Sequence, residues 1–172
     1  FSTSTLALSS DWVFNDKSKV RLISSKNSVD NVNQIVLGLE YELEPGWKTY
    51  WKSPGGGGFP QKIIWDNSTN IKDITIDWPT PKEFEILGLS SLGYEDKVIF
   101  PLLVKLYDSN KTTVVNLNTN YLVCKDICIP GNANLLLEIQ PGTGEYSEFF
   151  HEIEKTRSLL PIENINLSSL YK

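Results

Sequence analysis

Two neighbouring stretches in the second half of the chain alternate apolar and polar residues with a period of two. In the first, from Lys97 to Tyr107, one face carries Val98, Phe100, Leu102, Val104 and Leu106. In the second, from Thr112 to Cys124, one face carries Val115, Leu117, Thr119, Tyr121 and Val123. This is the period of a β-strand, whose successive side chains point to opposite faces. The residues between the two stretches, Asp108-Ser109-Asn110-Lys111, predict a hairpin loop.

Similar patterns between turn residues predict several further strands. The clearest runs from Ile35 to Leu43 and is followed by the turn dipeptide Pro45-Gly46. The other predicted strands are Lys19 to Ser25, Trp47 to Trp51, Gln61 to Trp65, Ile71 to Trp78 and Asn134 to Gln140. Because no helical segment separates these short strands, the sequence predicts an all-β antiparallel sandwich.

The C-terminal end has a different pattern. Between Glu145 and Leu160 apolar residues recur at roughly helical spacing, and Pro161 follows them. We therefore expect a β-sandwich over residues 1–143, in which residues 1–17 form an N-terminal arm whose first part is loosely held. A single helix and a polar tail are expected to occupy residues 144–172.

Composition narrows the classes of function. Sixteen Lys and Arg against 21 Asp and Glu give a net charge of −5, which argues against binding to nucleic acid or to anionic lipid. One histidine, His151, and two cysteines exclude most metalloenzymes and argue against a Ser-His-Asp hydrolase. No apolar run approaches the roughly 18 residues that a membrane-spanning helix needs. Because the chain contains no Met, we expect it to be a fragment of a longer protein.

The two cysteines, Cys124 and Cys128, lie where a predicted strand runs into a tight connection. A structural disulfide is one interpretation, but on the loop-entropy model closing a ring of about five residues contributes only roughly 2 kcal/mol. A metal site is a second, although two thiolates leave Zn²⁺ short of its four ligands. A reversible dithiol–disulfide pair is the third, because strained or exposed bridges have the higher reduction potentials of working disulfides. The residues alone leave the structural and the redox interpretations open.

A glycine run, Gly55–Gly58, follows an aromatic segment that contains Tyr50 and Trp51. No Gly-Lys-Ser/Thr sequence follows the glycines, which argues against a phosphate-binding P-loop. The run therefore predicts a flexible surface loop, with a partner or ligand surface lined by the aromatic residues as the alternative. A sugar-binding platform is a weaker alternative for the tryptophans, since such residues belong more often to the core. The tryptophans in question are Trp47, Trp51, Trp65 and Trp78.

A second apolar segment follows Trp78-Pro-Thr-Pro81. From Phe84 to Gly93 the sequence predicts a loop, yet this loop carries apolar residues. Apolar residues on a loop need a cover or a partner. We therefore expect the loop either to fold over the sandwich core or to meet another molecule.

Four segments together resemble a known family. They are, in order, Gly46-Trp-Lys-Thr-Tyr-Trp-Lys-Ser-Pro54, then Trp78-Pro-Thr-Pro81, then Leu92-Gly-Tyr94 running into Phe100-Pro101, and finally Val123-Cys-Lys-Asp-Ile-Cys-Ile-Pro130. The chain resembles, from about Ser18 to Gln140, the N-terminal periplasmic domain of the DsbD/ScsB group of membrane thiol:disulfide interchange proteins. The last of the four segments is the most specific.

This resemblance implies an immunoglobulin-like sandwich that acts as the electron-relay part of a protein-disulfide reductase. Electrons would come from cytosolic thioredoxin through a transmembrane domain and a thioredoxin-like domain of the same or an associated membrane reductase. They would pass to periplasmic thioredoxin-fold partners, in processes such as cytochrome c biogenesis. The implied location is the periplasm, tethered to the inner membrane. The redox-active disulfide would be the only cofactor, with no metal and no nucleic-acid partner.

The resemblance also implies roles for individual residues. Cys128 would attack partners, and Cys124 would resolve the mixed disulfide. The loop from Phe84 to Gly93 corresponds to a cap over the cysteines, with Phe84 or Leu87 as the shielding side chain beside Gly88. Tyr50 and Trp51 would be aromatic neighbours of the pair. The best-studied members separate their cysteines by more residues, so the three that intervene here resemble the ScsB-like branch.

One alternative of a different class is an adhesion or ligand-binding sandwich whose Cys124–Cys128 bridge is purely structural. Another is a carrier that binds copper or zinc through the reduced pair. These alternatives differ in what the two sulfurs do, since only the exchange function requires a bridge that opens and closes.

Overall fold

Eleven strands and one helix form residues 8–161, which are the residues that the computed structural model describes. In chain order the strands are β1 (Val13–Phe14), β2 (Ser18–Ser24), β3 (Gln34–Leu43), β4 (Lys48–Gly55), β5 (Lys62–Ile64), β6 (Ile71–Ile76), β7 (Lys82–Ile86), β8 (Leu89–Glu95), β9 (Lys97–Leu106), β10 (Thr113–Cys124) and β11 (Cys128–Ile139). The helix α1 spans Phe150–Ser158. The start of the predicted arm, residues 1–7, and the predicted tail, residues 162–172, lie outside the described residues.

The strands form two sheets in which all pairs of these strands are antiparallel. One sheet has the order β1-β2-β3-β9-β6. The other has the order β11-β10-β4-β8-β7, and β5 also pairs with β10. The two sheets pack face to face, which confirms the predicted immunoglobulin-like sandwich.

The predicted apolar faces of β9 and β10 fill the core between the sheets. Every apolar residue of these two faces is buried in a single cluster. At its centre the ring of Tyr41 meets Phe100 and Tyr121 edge-on, with centroid distances of 5.5 and 4.9 Å. The Tyr41 hydroxyl lies 2.7 Å from the Thr119 hydroxyl, so this deeply buried polar group has a hydrogen-bond partner. The tryptophans belong to this core too: Trp47 is buried, and Trp51, Trp65 and Trp78 pack against it.

The predicted hairpin between the two alternating stretches is wrong. Strand β9 pairs with β3 and β6, whereas β10 pairs with β11, β4 and β5, so the two strands lie in different sheets. The connection between them crosses the edge of the sandwich, where the Asn70 amide donates to the Asp108 carbonyl at 2.8 Å. Alternation requires only that one face of each strand meets the core, and facing strands satisfy this as well as paired strands do.

The predicted loop from Phe84 to Gly93 is also wrong, because most of it forms the hairpin β7–β8. The turn residues Leu87 and Gly88 have φ of 53° and 77°. Two consecutive residues with positive φ match the two-residue hairpin turns whose twist suits antiparallel strands. Leucine is uncommon at such a position, so the turn is not visible in the sequence.

The described part of the N-terminal arm and the segment before the helix are held more closely than their sequence suggests. Ser10 is buried, and its backbone N–H donates to the Leu22 carbonyl at 2.9 Å, so this part of the arm is fixed against β2. The helix α1 is shorter than predicted, and the residues before it bond to the segment that follows β2; the Ser147 N–H, for example, donates to the Ser25 carbonyl at 3.0 Å. Its buried residue Ile153 packs on the outer face of the first sheet, against Ile23 and Ile99. No helix within residues 8–161 is long and apolar enough to cross a membrane.

Candidate functional site

A disulfide joins Cys124, the last residue of β10, to Cys128, the first residue of β11. The two cysteines face each other directly in the β-ladder, with their Cα atoms 4.1 Å apart. Three residues make the turn between them, and the Lys125 N–H donates to the Ile127 carbonyl at 3.0 Å. The bridge therefore closes the tip of a hairpin that twelve ladder positions already hold together.

The two sulfurs differ in their exposure. Cys124 is completely buried, whereas Cys128 is only partly buried. A nucleophile from another protein therefore has an approach to Cys128 and none to Cys124. Thiol–disulfide exchange depends on which sulfur can be reached, so the two sulfurs of this bridge are not equivalent targets for a nucleophile.

The bridge lies on the outer face of the second sheet, within a small apolar cluster. Leu122 precedes Cys124 by two positions and shares its face, and Tyr50 of β4 lies beside them. Ile86 from the hairpin β7–β8 completes the buried part of the cluster, and Phe84 packs at its margin together with Cys128. This cluster is separate from the core between the sheets.

The Tyr50 hydroxyl donates a hydrogen bond to the Cys124 sulfur at 3.2 Å. Only 1% of Tyr50 is exposed, and burial raises the pKa of its phenol above the usual value. The phenol therefore keeps its proton at neutral pH and remains a donor. Within the described residues it is the only side chain that donates a hydrogen bond to either sulfur.

The apolar residues predicted for the cap lie in different surroundings. Phe84 packs at the disulfide cluster, and the Lys48 ammonium lies 5.1 Å from the centre of its ring. Leu87 is at the tip of the hairpin and is 57% exposed, beside Gly88, which has no heavy atom within 4 Å of where a Cβ would be. Trp51, predicted as an aromatic neighbour of the cysteine pair and not as part of the cap, points to the opposite face from Tyr50 and packs against the main core. The shielding role of Phe84 or Leu87 stays a prediction.

Two lysines flank the bridge. Lys48 pairs with Cys124 across β4 and β10, and its ammonium donates to the Gly46 carbonyl at 3.1 Å. The Lys125 side chain approaches the same glycine, since a Cβ built at Gly46 would lie 3.2 Å from its ammonium. Neither lysine forms an ion pair within residues 8–161.

No group of three or more potential metal ligands occurs among residues 8–161. The cysteines are both engaged in the disulfide, and His151 lies on α1, against Phe150. What the described part of the site holds is therefore a disulfide, a phenol donor and an apolar cover.

Some residues of the site were not found from the sequence. Leu122 and Lys48 share a face with the bridge because each lies two positions from a residue of the site, Cys124 or Tyr50, so the period of two could have identified them. Ile86 could not be found in this way, since its contact with the site depends on how the hairpin β7–β8 folds. The contact of Gly58 with the Tyr50 ring likewise depends on the path of a loop.

The profile of the family "Thiol:disulfide interchange protein DsbD, N-terminal" matches residues 19–139. The crystal structure of the N-terminal periplasmic domain of ScsB from Proteus mirabilis is similar, with a TM-score of 0.72 and 28% sequence identity. That match covers 91% of this chain, which spans only 61% of the ScsB chain.

The N-terminal domain of Neisseria meningitidis DsbD in the reduced form matches less well. Its TM-score is 0.40 at 11% identity, over 75% of this chain and 90% of that one, and we draw nothing from it. No curated protein sequence matches the chain significantly. The family match includes both cysteines, every strand that carries a residue of the disulfide cluster and most of the core. The chain therefore belongs to the family of DsbD N-terminal domains.

Proposed function

We propose that this thiol-disulfide exchange domain relays electrons between two thioredoxin-fold proteins through the Cys124–Cys128 pair. It takes reducing equivalents from a thioredoxin-like domain of a membrane-embedded reductase and delivers them to partners in the periplasm. The observation that carries the proposal is the unequal exposure of the two sulfurs, one reachable and one buried under a phenol donor. Membership of the family supports the exchange chemistry.

The reduced domain delivers two electrons in two steps. The Cys128 thiolate attacks one sulfur of the partner's disulfide, which forms a mixed disulfide and releases the other partner sulfur as a thiolate. Cys124 then loses its proton and attacks the Cys128 sulfur, which releases the second partner thiolate and restores the Cys124–Cys128 bridge. The partner gains two electrons and takes up protons, and the domain is oxidised.

The domain is reloaded by the reverse sequence. A thiolate of the upstream thioredoxin-like domain attacks the Cys128 sulfur, because this is the sulfur that can be reached. The S–S bond breaks and Cys124 leaves as a thiolate, which accepts the hydrogen bond of Tyr50. A hydrogen bond to the charged form stabilises it, so Tyr50 makes Cys124 a better leaving group. The second upstream thiolate then attacks the upstream sulfur of the mixed disulfide, which releases Cys128 as a thiolate and leaves the upstream domain oxidised.

The hairpin β7–β8 serves as a cover that a partner displaces. Phe84 and Ile86 lie over the bridge, and β7 is an edge strand that pairs only with β8. Moving β7 therefore breaks pairing with a single neighbour, and β7 contributes no residue to the core between the sheets. In an oxidising compartment such a cover limits the reaction of the reduced pair with small oxidants.

The proposal is tested by trapping the mixed disulfide. In a Cys124→Ser variant the resolving sulfur is absent, so the intermediate with Cys128 accumulates and a thioredoxin-fold protein is captured from a periplasmic extract. Mass spectrometry under non-reducing conditions identifies the captured protein and the linkage. The matched control is Cys128→Ser, in which the remaining sulfur is buried and captures nothing.

The result that overturns the proposal is capture of no thioredoxin-fold protein by Cys124→Ser when the same extract reacts with a control thioredoxin. That outcome favours an adhesion or ligand-binding sandwich with a purely structural bridge. Stoichiometric and tight binding of zinc or copper by the reduced pair favours a metal carrier instead.

A further inference from the structure

The glycine run after β4 lies across the disulfide cluster and is anchored at both ends. At its start Gly55 pairs with Ser91 of β8, and the Ser91 hydroxyl donates to the Gly56 carbonyl at 3.3 Å. Just beyond its end the buried Gln61 amide donates to the Thr49 hydroxyl at 2.7 Å. Thr49 itself donates to the Leu122 carbonyl at 2.9 Å, so the loop is tied to the strand that carries Cys124.

Gly58 lies directly against the Tyr50 ring. A Cβ at Gly58 would be 2.4 to 2.5 Å from three atoms of that ring, which is well inside van der Waals contact. The φ of Gly58 is not in the left-handed region, so the backbone alone does not require glycine there. The close contact with the Tyr50 ring is what requires glycine at this position.

We infer that Gly58 is a positioning residue for the exchange reaction, because the bare backbone at this position sets the Tyr50 ring where its hydroxyl reaches the Cys124 sulfur. This inference rests on the proposed function. The buried ring packs in one cluster with Leu122 and Cys124, and the Gly58 backbone lies against it. Any side chain at position 58 pushes the ring along the sheet, and the 3.2 Å hydrogen bond is lost or lengthened.

The neighbouring glycines have a different role. Gly57 and Gly56 face Leu89, at the start of β8. A Cβ built at Gly57 would lie 2.9 Å from the Leu89 side chain, and one built at Gly56 would lie 3.4 Å from it. The contact at Gly56 is an ordinary one, and its φ is not in the left-handed region. Gly56→Ala therefore provides a control in the same loop that leaves Tyr50 untouched.

A second control has the same kind of clash at a different tyrosine. A Cβ at Gly131 would be 2.3 to 2.8 Å from the Tyr121 ring, whose hydroxyl bonds to Ser18 and Asn15 rather than to a sulfur. Gly131→Ala therefore strains a buried tyrosine without changing the hydrogen bond to Cys124. Comparison with this variant separates the stability lost by displacing any buried tyrosine ring from the loss of the hydrogen bond to Cys124.

The experiment is a double-mutant cycle with Gly58→Ala and Tyr50→Phe. We measure the rate at which dithiothreitol reduces the oxidised chain, and the pKa of the Cys124 thiol from thiolate absorbance in a Cys128→Ser background. Each single variant is expected to slow reduction by about tenfold, the typical effect of losing one hydrogen bond, and to raise the thiol pKa. The double variant is expected to be no slower than Tyr50→Phe alone, because Gly58 acts through the hydroxyl that this variant lacks.

The inference is overturned if Gly58→Ala behaves like Gly56→Ala, or if its effect adds in full to that of Tyr50→Phe. Should Gly58→Ala fail to fold, it is combined with Tyr50→Ala, which removes the ring. Recovery of folding in that pair supports the contact, and failure of the pair while Tyr50→Ala alone folds overturns it. Capture by Cys124→Ser tests the proposed function independently, so a negative result here with successful capture removes only the role of Gly58.

Discussion

The outer face of the hairpin formed by β10 and β11 is polar toward the middle of the strands and apolar at the cysteine end. Toward the middle of β10 and β11 the outer face of the second sheet is a ladder of asparagines, in which Asn118 donates to Asn134 and Asn132 donates to Asn120, both at 2.7 Å. Two positions beyond Asn120, the same face of β10 turns apolar at Leu122 and then reaches the buried Cys124. Strand pairing is continuous from one end to the other.

This contrast shows that the hairpin does not itself require its outer face to be buried. The asparagines bond to each other, and among the residues that the structure describes Asn132 and Asn134 are exposed. At the cysteine end the cover is added by other elements, namely Tyr50 of β4 and the hairpin β7–β8. The apolar cluster is therefore confined to the cysteine end of this face, while the sandwich core lies on the other face of the same strands.

The contrast predicts that removing the bridge abolishes exchange but leaves the sandwich folded. In a Cys124→Ala, Cys128→Ala variant, exchange with glutathione is expected to be lost completely. The free energy of unfolding is expected to fall by only about 2 kcal/mol, because the ring that the disulfide closes is short. Denaturant unfolding measures this loss, and a variant that no longer folds would show that the bridge is structural.

A smaller effect is expected from opening the cover at Phe84. Phe84→Ala removes a ring that packs at the bridge, so reduction of the oxidised chain by dithiothreitol is expected to accelerate several-fold. The loss of stability should stay below the roughly 3–5 kcal/mol of a fully buried phenylalanine, because Phe84 is only half-buried. The matched control is Leu87→Ala at the exposed tip of the same hairpin; equal acceleration in both variants would contradict a specific role for Phe84.

At high pH both the cover and the core are expected to lose stability. Burial raises the pKa of Tyr50 in the cover and, despite hydrogen bonds from Asn15 and Ser18, that of Tyr121 in the core. A phenol whose pKa is higher in the folded state stabilises the fold fully below its unfolded pKa of about 10. That contribution is lost as the pH rises through the folded pKa. Urea unfolding at a series of alkaline pH values measures the loss, which should be smaller in Tyr50→Phe; an identical pH dependence in that variant would contradict the assignment.

Lys97, in the first sheet, also contributes stability that is lost at alkaline pH. Burial alone would lower its pKa, but hydrogen bonds to Glu40 and Glu152 outweigh burial and raise it. Its ammonium lies 3.0 Å from the fully buried carboxylate of Glu40 and 3.0 Å from Glu152 of α1. Lys97→Met is therefore expected to reduce stability near neutral pH, where the lysine is charged, while leaving the rate of exchange unchanged.

The smallest effect is expected from the asparagine ladder. Asn118→Ala removes a side chain that bonds to exposed neighbours, so the cost in stability should be at most about 1 kcal/mol. Exchange with glutathione should be unchanged, because the ladder lies outside the disulfide cluster. A marked loss of exchange in this variant would show that the two ends of the face are coupled.

The sequence predicted the strands and their faces well, because burial on one side imposes a period of two. It could not predict which strands pair, as β9 and β10 show, because these two strands lie in different sheets. Each needs only one face against the core, so the alternation of apolar and polar residues is the same for strands that face each other across the core and for strands that pair within a sheet. The extent of β11 was missed as well, since Pro130 and Gly131 interrupt the pattern although the ladder continues to Cys128.

The candidate site was predictable as far as its sulfurs and the neighbouring Tyr50. Resemblance supplied those residues, and the period of two along β10 could also have placed Leu122 on the face of Cys124. The contacts that close the site depend on tertiary folding: the turn at Leu87 and Gly88 brings Ile86 over the bridge, and the loop at Gly58 meets the Tyr50 ring. No local pattern in the sequence encodes either contact.

The central claim is that the Cys124–Cys128 bridge is there to be exchanged rather than to stabilise the sandwich. The most direct test is its reduction potential, measured by equilibrating the chain with glutathione redox buffers and quantifying the two states by alkylation. For an exchanging bridge we expect a potential above about −300 mV, within reach of thioredoxin-fold proteins. A potential well below about −300 mV, the range of structural disulfides, would contradict it.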